Sequence, residues 1–371
     1  MFRNILVIDL AHIGDVVLTT PCLRSLRAAC PEARITMLTT PTAAPIAQLI
    51  PYVDTVMTYD KHGTQRGLRG MLRMGRQLRS EHFDAAFCLN FALRGAVITW
   101  LAGIPVRVGY DAQHAGLFLS HTQPGVRDPQ QHERLNHLAI LQPLGLAPSA
   151  DTSLELQVPD SVQQSLATKL GWREQMIGGV ATATMGQGTA LDTTASPAPA
   201  VRPPRPYIVI CPYGNSPKKA FSQKQQVELI CALQPKYDVY LTSAPADSAA
   251  LMQTATAAGL PATHCLPGTL TLPELAALLR GGSCLITTDT GPLHIAQAVG
   301  CPTVALFGPT NVAAWGPSNT ADTVLEQHAP CAPCDCRGTC TENTCITTIP
   351  VPTILAAVHE RLKTVDKNNK V

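Results

Sequence analysis

Several stretches of the chain carry side chains whose types and spacing could hold an anion or move a proton. The densest runs from Leu285 to Pro317 and reads LITTDTGPLHIAQAVGCPTVALFGPTNVAAWGP. Residues 285–287 are a short apolar run expected to be a buried strand, and Asp289-Thr290-Gly291-Pro292 is a tight turn. Residues 293–299 then predict a helix stopped by Gly300, and residues 303–307 a second buried strand. Strand, glycine turn, helix and strand make a βαβ unit, and in open parallel sheets ligands collect at the carboxyl ends of the strands. The helix start near Pro292 offers unpaired N–H groups and a positive dipole end, which suit a phosphate. Thr290 adds a hydroxyl donor, and Gly291 lets the backbone approach an anion with no side chain between. Asp289 repels phosphate, so it fits as an acceptor for hydroxyls or for backbone N–H groups. His294, one turn into the helix, either contacts a ligand or packs. A plain helix N-cap in an ordinary sheet would show the same spacing.

A second stretch is LVIDLAHIGDVVLTTPCLRSLRAACP near the N-terminus. Residues 5–10 read as a buried strand, Gly14 as a turn, and Asp15 as the opening of a helix whose apolar face uses Val16, Leu23 and Leu26. With a further strand at residues 35–38, this is another βαβ unit. By position alone an acid at a helix start is a cap or a dipole partner. In a third stretch, Gly214, Asn215 and Ser216 turn at the end of a predicted strand over 207–211, with Lys218 and Lys219 just beyond. A lysine at a strand-end turn is either solvent-exposed or a phosphate clamp. In a fourth, Arg66, Arg69, Arg73 and Arg76 recur at three- and four-residue spacing, which lines them along one helix face. Leu68, Met71 and Leu72 lie on another face, continued by Leu78, and Gly67, Gly70 and Gly75 weaken the helix. The arginines are either a solvated face or a docking surface for an anionic acceptor or an acidic membrane leaflet.

The elements that must position these groups alternate between strand and helix along most of the chain. With 371 residues, two domains are expected. A charge of +2 gives no reason to expect a nucleic-acid partner. No apolar run approaches the roughly 18 residues of a membrane span, and residues 1–15 lack a signal-peptide cleavage site. These features lead us to expect a soluble, cytoplasmic protein. No GxGxxG follows the first strand, which argues against a dinucleotide fingerprint and so against a nicotinamide dehydrogenase. Residues 178–206 are rich in Gly, Ala, Thr and Pro without periodicity and read as a linker or a disordered insertion. Gly186-Gln187-Gly188 within it follows no strand and is not read as a phosphate loop.

Of thirteen cysteines, eight lie in scattered contexts, among them Cys88, Cys211, Cys284 and Cys301, and are expected to act as small buried hydrophobes. The other five, Cys331, Cys334, Cys336, Cys340 and Cys345, form CAPCDCRGTCTENTC. Such density could hold zinc, but the spacing is not a CxxC…CxxC pair and five thiols exceed four ligands. A local structural role and a metal both stay open, and no catalytic metal site is expected. His132 and His137, five apart, are wrongly spaced for two ligands on one helix turn and are expected to be surface or capping groups.

Together, DTGPLHIAQAVGCPTVALFGPTNVAAWGP and LVIDLAHIGDVVLTTPCLRSLRAACPEARI resemble glycosyltransferase family nine, the bacterial lipopolysaccharide heptosyltransferases. The resemblance implies a GT-B fold, in which two Rossmann-like α/β domains face across a cleft. It implies an N-terminal acceptor domain (1–177), the 178–206 insertion, a C-terminal donor domain (207–350) and a C-terminal helix and tail (351–371) that packs back across the domains. It places the family's general base on Asp15, beside Gly14, and its phosphate lysine on Lys219. Asn215, Ser216, Asp289, Thr290, Gly291, Pro292 and His294 would bind the donor, and Gly14, Arg66, Arg69 and Arg73 the acceptor. Asp9 stands where relatives commonly carry an arginine, and Lys219-Ala220-Phe221 where they carry Lys-Arg-Trp. The activity implied is inverting, metal-independent transfer of heptose from ADP-heptose to the lipopolysaccharide inner core. No cofactor is implied, and contact with the inner face of the cytoplasmic membrane stays open. Another nucleotide sugar with another glycan acceptor, or a non-catalytic sugar-nucleotide binding protein, are the competing readings.

Overall fold

The computed structural model describes residues 2–124, 128, 130–172, 205–317, 319–327, 329–337, 340 and 343–368. The chain begins β1 (Asn4–Ile8), α1 (Ile13–Leu18), α2 (Thr20–Ala29), β2 (Arg34–Thr39), α3 (Ala44–Ala47), β3 (Thr55–Thr58) and α4 (Gly67–Arg79). It continues with β4 (Ala85–Cys88), α5 (Leu93–Leu101), β5 (Val106–Tyr110), β6 (His121–Gln123), α6 (Glu133–Ala139) and α7 (Asp160–Leu170). The second set opens with β7 (Tyr207–Cys211), α8 (Gln223–Leu233), β8 (Asp238–Ser243), α9 (Ser248–Ala257), β9 (Cys265–Pro267) and α10 (Leu272–Gly281). It closes with β10 (Cys284–Thr288), α11 (Gly291–Ala298), β11 (Thr303–Phe307), α12 (Val312–Trp315), β12 (Thr323–Glu326), α13 (Thr344–Thr347) and α14 (Val351–Asn368). Most of the Gly/Ala/Thr/Pro-rich stretch at 178–206, including Gly186-Gln187-Gly188, lies outside the described residues.

Each set builds one parallel sheet of six strands, in the orders β3-β2-β1-β4-β5-β6 and β12-β11-β10-β7-β8-β9. These are the same doubly wound order written in opposite directions. Parallel strands covered by helices on both faces must be apolar throughout rather than alternating, and YIVIC of β7 and TVALF of β11 are buried at every position. The order reverses between β1 and β4 in one sheet and between β7 and β10 in the other. The registers Ile8↔Cys88 and Thr287↔Cys211 bring the strand ends level there. At such switch points the flanking loops part and leave a crevice for a ligand. Asp9 follows the end of β1 and Asp289 the end of β10, so an aspartate stands at the switch point of each sheet.

The sheets are joined by several direct contacts. Helix α1 lies against α11, with Ile13 within van der Waals reach of Gly291. Helix α7 packs on α10, where the Lys169 ammonium donates to Glu274 Oε2 at 2.6 Å and to the carbonyl of Thr269 at 3.1 Å. Glu274 also caps α10 with Thr271, so one buried carboxylate serves a helix start and the seam together. Trp172 Nε1 donates to the Tyr240 hydroxyl at 2.8 Å, and the Leu156 N–H to the carbonyl of Ala298 at 3.0 Å. The helix that crosses from one sheet to the other is therefore α7. Helix α14, expected to cross, instead buries Ile354, Val358 and Leu362 in the core beside β10 and β11. Their i, i+4 spacing makes one stripe that the second sheet covers.

Helix α4 also differs from expectation. Its core face is Gly70, Met74, Gly75 and Leu78, whereas Leu68 and Leu72 are exposed at 64% and 37%. The glycines had suggested a weak helix, but a Cβ added at Gly75 would stand 2.7 Å from Leu101 Cβ. Gly75 is thus where α4 closes on α5, and the helix rotates to put the small residues inward. Replacing Ile286, fully buried at the centre of β10, with alanine is expected to cost about 2–5 kcal/mol. The check is a lower urea midpoint with an unchanged slope for the transition of the second sheet.

Candidate active site

The contact of α1 with α11 brings the two aspartate-bearing strand ends together. His294 is 3% exposed and sits on Gly14, since a Cβ added there would lie 2.7 Å from His294 Cδ2. Nδ1 of the ring pairs with Gln297 Oε1 at 3.2 Å, and burial pushes its pKa down. The ring packs between the domains against Gly14, the residue before Asp15.

Asp15 is partly buried at the start of α1, where its Oδ2 accepts the His12 N–H at 3.0 Å. It caps the helix, and that use leaves Oδ1 for a second partner. Burial, then the nearby Asp9 carboxylate, raise its pKa from 3.8 to about 7, against a lowering contribution from His137. The ordinary aspartate expected from sequence thus becomes a much stronger base. The loop that bears it is tied down from below: Asp9 Oδ1 accepts the Ala11 N–H at 2.8 Å and Asn90 Nδ2 at 3.0 Å. Asn90 Oδ1 in turn accepts the Leu10 N–H at 2.6 Å.

Across the seam, Lys219 is 8% exposed, and its ammonium donates to Asp289 Oδ2 at 2.7 Å and to the Asp289 carbonyl at 3.1 Å. An ammonium has three hydrogens, so one remains to point elsewhere. Asp289, expected to accept from hydroxyls or backbone, instead anchors this lysine. Gly214 makes room, since its added Cβ would meet Lys219 Cβ at 3.0 Å. Ser216 caps the short turn over 217–219 by accepting the Lys218 N–H at 3.3 Å, and Asn215 is exposed beside it. Thr290 is the extended N-cap of α11, which starts at Gly291 with Pro292 in its first turn. The lysine, the Asn215–Ser216 turn and the start of α11 therefore converge on the carboxyl ends of β7 and β10.

Two hydroxyls there were missed from sequence. Thr288 Oγ1 and Thr310 Oγ1 are buried without a hydrogen-bond partner, at the ends of β10 and β11. Buried polar groups are nearly always paired, so these suit a polar ligand. The doubled threonine before Asp289 and the one after Gly308-Pro309 were their only signal.

In the N-terminal domain, a cavity of about 530 Å³ opens at the switch point of the first sheet. Lys61, His62 and Arg94 line it with Asn90 and Gln113 over a floor that includes Ile8, Leu10 and Met71, and no carboxylate is among its lining residues. The Lys61 ammonium donates to the Leu10 carbonyl, and Arg94 Nη1 reaches the Lys61 carbonyl at 3.4 Å. Arg66, Arg69 and Arg73 lie outside this cavity, on the exposed face at the start and middle of α4. Lys61 and Arg94 escaped the sequence reading because they are 33 residues apart.

His132 and His137 are more than surface groups. His132 caps α6 by accepting the Arg134 N–H and also bonds the Gly316 carbonyl across the seam at 2.8 Å, whereas His137 is 1% exposed. All thirteen cysteines are free. Cys88, Cys211, Cys284 and Cys301 are buried as expected, but Cys231 is exposed. Among the described residues, no three His, Cys, Asp or Glu side chains are placed to share a metal ion. The cysteine-rich segment supports the lysine turn, with Lys218 Nζ donating to the Cys336 carbonyl at 3.4 Å and Asn343 Nδ2 to that of Ala220 at 2.6 Å. No helix among the described residues is long and apolar enough to cross a membrane.

Two Rossmann-like domains that face each other across a seam make the GT-B fold. The family model for glycosyltransferase family 9 (heptosyltransferase) matches residues 71–345, and the chain belongs to that family. It is 26% identical to lipopolysaccharide heptosyltransferase 3 of Escherichia coli, over 82% of this chain and 83% of that one. Among solved structures it resembles the family 9 glycosyltransferase of Veillonella parvula, with a TM-score of 0.77, 21% identity, and 98% and 97% of the two chains covered. It also resembles the E. coli ADP-heptose lps heptosyltransferase II, with a TM-score of 0.76, 20% identity, and 98% and 100% covered.

Gly14→Ala tests the seam. Its methyl group has no room beside His294, so the buried ring, and with it the fit of α1 on α11, must shift. A displacement near 1 Å costs about 100-fold in rate, and kcat/KM is expected to fall by that order while each domain keeps its unfolding transition.

Proposed function

We propose that this glycosyltransferase moves a heptose from ADP-heptose to a hydroxyl of the lipopolysaccharide inner core, with inversion at the anomeric carbon. The observation that carries the reading is the placement of Asp15 and the Lys219–Asp289 pair on opposite sides of the Gly14–His294 contact. The donor and acceptor classes come from the names of the relatives, one a lipopolysaccharide heptosyltransferase and the other an ADP-heptose enzyme.

The acceptor oxygen attacks the anomeric carbon as the bond from that carbon to the diphosphate oxygen breaks. ADP leaves with the electron pair, and Asp15 takes the acceptor's proton. A base near pKa 7 is matched to neutral pH, and the proton becomes acidic late in an oxocarbenium-like displacement. Charge growing on the diphosphate is met by the remaining hydrogen of Lys219, the Asn215–Ser216 turn, Thr290 and the start of α11 at Gly291 and Pro292. With those donors in place the reaction needs no divalent ion, and EDTA is expected to leave the rate unchanged.

The acceptor sits in the cavity beside Asn90, where Lys61, His62 and Arg94 receive its anionic groups, while Gly14 keeps the loop of the base close against His294. Arg66, Arg69 and Arg73, with exposed Leu68 and Leu72, form a cationic, partly apolar surface for the acceptor's neighbouring phosphates and for the inner face of the cytoplasmic membrane.

ADP release from ADP-heptose with a deacylated inner-core acceptor is the test. The parent is expected to turn over, with kcat/KM rising through about pH 7 as Asp15 loses its proton, and Asp15→Ala to lose turnover. Release surviving in that variant removes Asp15 as the base, and turnover with a different nucleotide sugar overturns the donor. Lys61→Ala is expected to raise the acceptor KM about tenfold, the size of one charge-assisted hydrogen bond, with the donor KM unchanged. A raised donor KM instead would move the acceptor out of the cavity.

A further inference from the structure

Helix α6 carries a group of buried polar side chains that the reaction above does not use. Glu133, Asn136 and His137 are 4%, 3% and 1% exposed, and α6 packs on α1 and α2. Glu133 Oε2 accepts Asn136 Nδ2 at 2.9 Å, and Glu133 Oε1 lies 3.8 Å from His137 Nε2. Gln131 Nε2 holds Asn136 Oδ1 at 3.0 Å, and the Tyr110 hydroxyl holds the Asn136 carbonyl at 2.7 Å. The helix is thereby fixed in rotation, and its acid–imidazole pair cannot swing to solvent.

Packing does not account for this arrangement. His137 Nδ1 is buried with no hydrogen-bond partner, and so is Asp9 Oδ2 at the end of β1. A fold selected only for stability would place apolar side chains there. What the buried groups share is their place against α1, the helix that carries Asp15 and on which α6 packs, and charge on Asp9, Glu133 or His137 there bears on the ionisation of Asp15.

We propose that Glu133 and His137 are positioning residues for Asp15, a buried acid–imidazole pair that sets the charge surrounding the base. This rests on Asp15 being the base, and so deepens the function proposed above. The charged and polar groups that bear on Asp15 are Asp9 from the end of β1, the backbone N–H of His12, and Glu133 and His137 from α6; from α11, His294 packs on the neighbouring Gly14, with the Lys219–Asp289 pair behind it. Asp9 and Glu133 oppose ionisation of Asp15, and His137 favours it. The pair lets the site hold two carboxylates near the base while limiting how far its proton affinity rises. Coupled groups titrate together, so the prediction concerns the direction in which the Asp15 transition moves.

The test titrates the carboxyl of Asp15 in the whole protein by carbon-13 NMR of labelled aspartate, assigned with Asp15→Asn and run without substrate. Glu133→Gln is expected to move the transition down by about one pH unit and His137→Gln to move it up by about one, as for a unit charge several ångströms away. The acid limb of the kcat/KM profile should move with it in each variant. Transitions that stay in place, or move the same way in both variants, overturn the proposal, even if both lose thermal stability. Because the titration needs no donor or acceptor, it stands whether or not ADP-heptose proves to be the substrate. If NMR shows the opposed shifts but the kinetic limb is fixed elsewhere, the pair sets Asp15 and Asp15 is not the base.

Discussion

The approach of α1 to α11 is the constraint on which the site depends. Two helices, each starting just beyond a switch-point strand of its own sheet, meet end to flank through Gly14, Ile13, Gly291 and His294. Neither sheet carries both Asp15 and the Lys219–Asp289 pair. Only the contact sets Asp15 opposite the lysine and the start of α11, and the contact needs a residue without a side chain at Gly14. The other seam contacts, α7 on α10 and His132 on Gly316, hold the domains around it.

Electrostatics explains why the site is buried. The Asp289 carboxylate would repel a diphosphate, yet it holds the Lys219 ammonium by two hydrogen bonds and presents it at the strand ends. A buried ion pair of this kind contributes little net stability, but it fixes the position of a charge. On the other side of the seam, burial first and then the nearby Asp9 carboxylate raise the proton affinity of Asp15. One domain thus presents an ammonium and a helix start at the seam, and the other a buried carboxyl group. That difference across the seam supports the donor and acceptor roles proposed for the two domains.

Much of the fold was legible along the chain because parallel strands buried on both faces are short apolar runs, and their helices start at recognisable caps. β7 and β11 occur at the residues expected. The reading erred where a helix's environment, rather than its own pattern, chooses the buried face. In α4 the close approach at Gly75 turned Leu68 and Leu72 outward. In α14 an apolar stripe fitted two possible partners, and the second sheet took it.

For the site, the sequence by itself determined which local motifs could meet an anion or carry a base. Gly14-Asp15, Gly214 to Lys219, and Asp289 to His294 are each contiguous turns at strand ends, legible as motifs although a plain helix cap would show the same spacing. The tertiary structure alone decided what those groups do to one another. Asp289 binding Lys219, Asn90 bracing Asp9, and Glu133 and His137 facing Asp15 join residues from 70 to more than 100 positions apart. The physical reason is that spacing along a helix or strand encodes neighbours within one element. Proton affinity and charge pairing depend on burial and on distances across elements, which exist only after the two sheets have closed on each other.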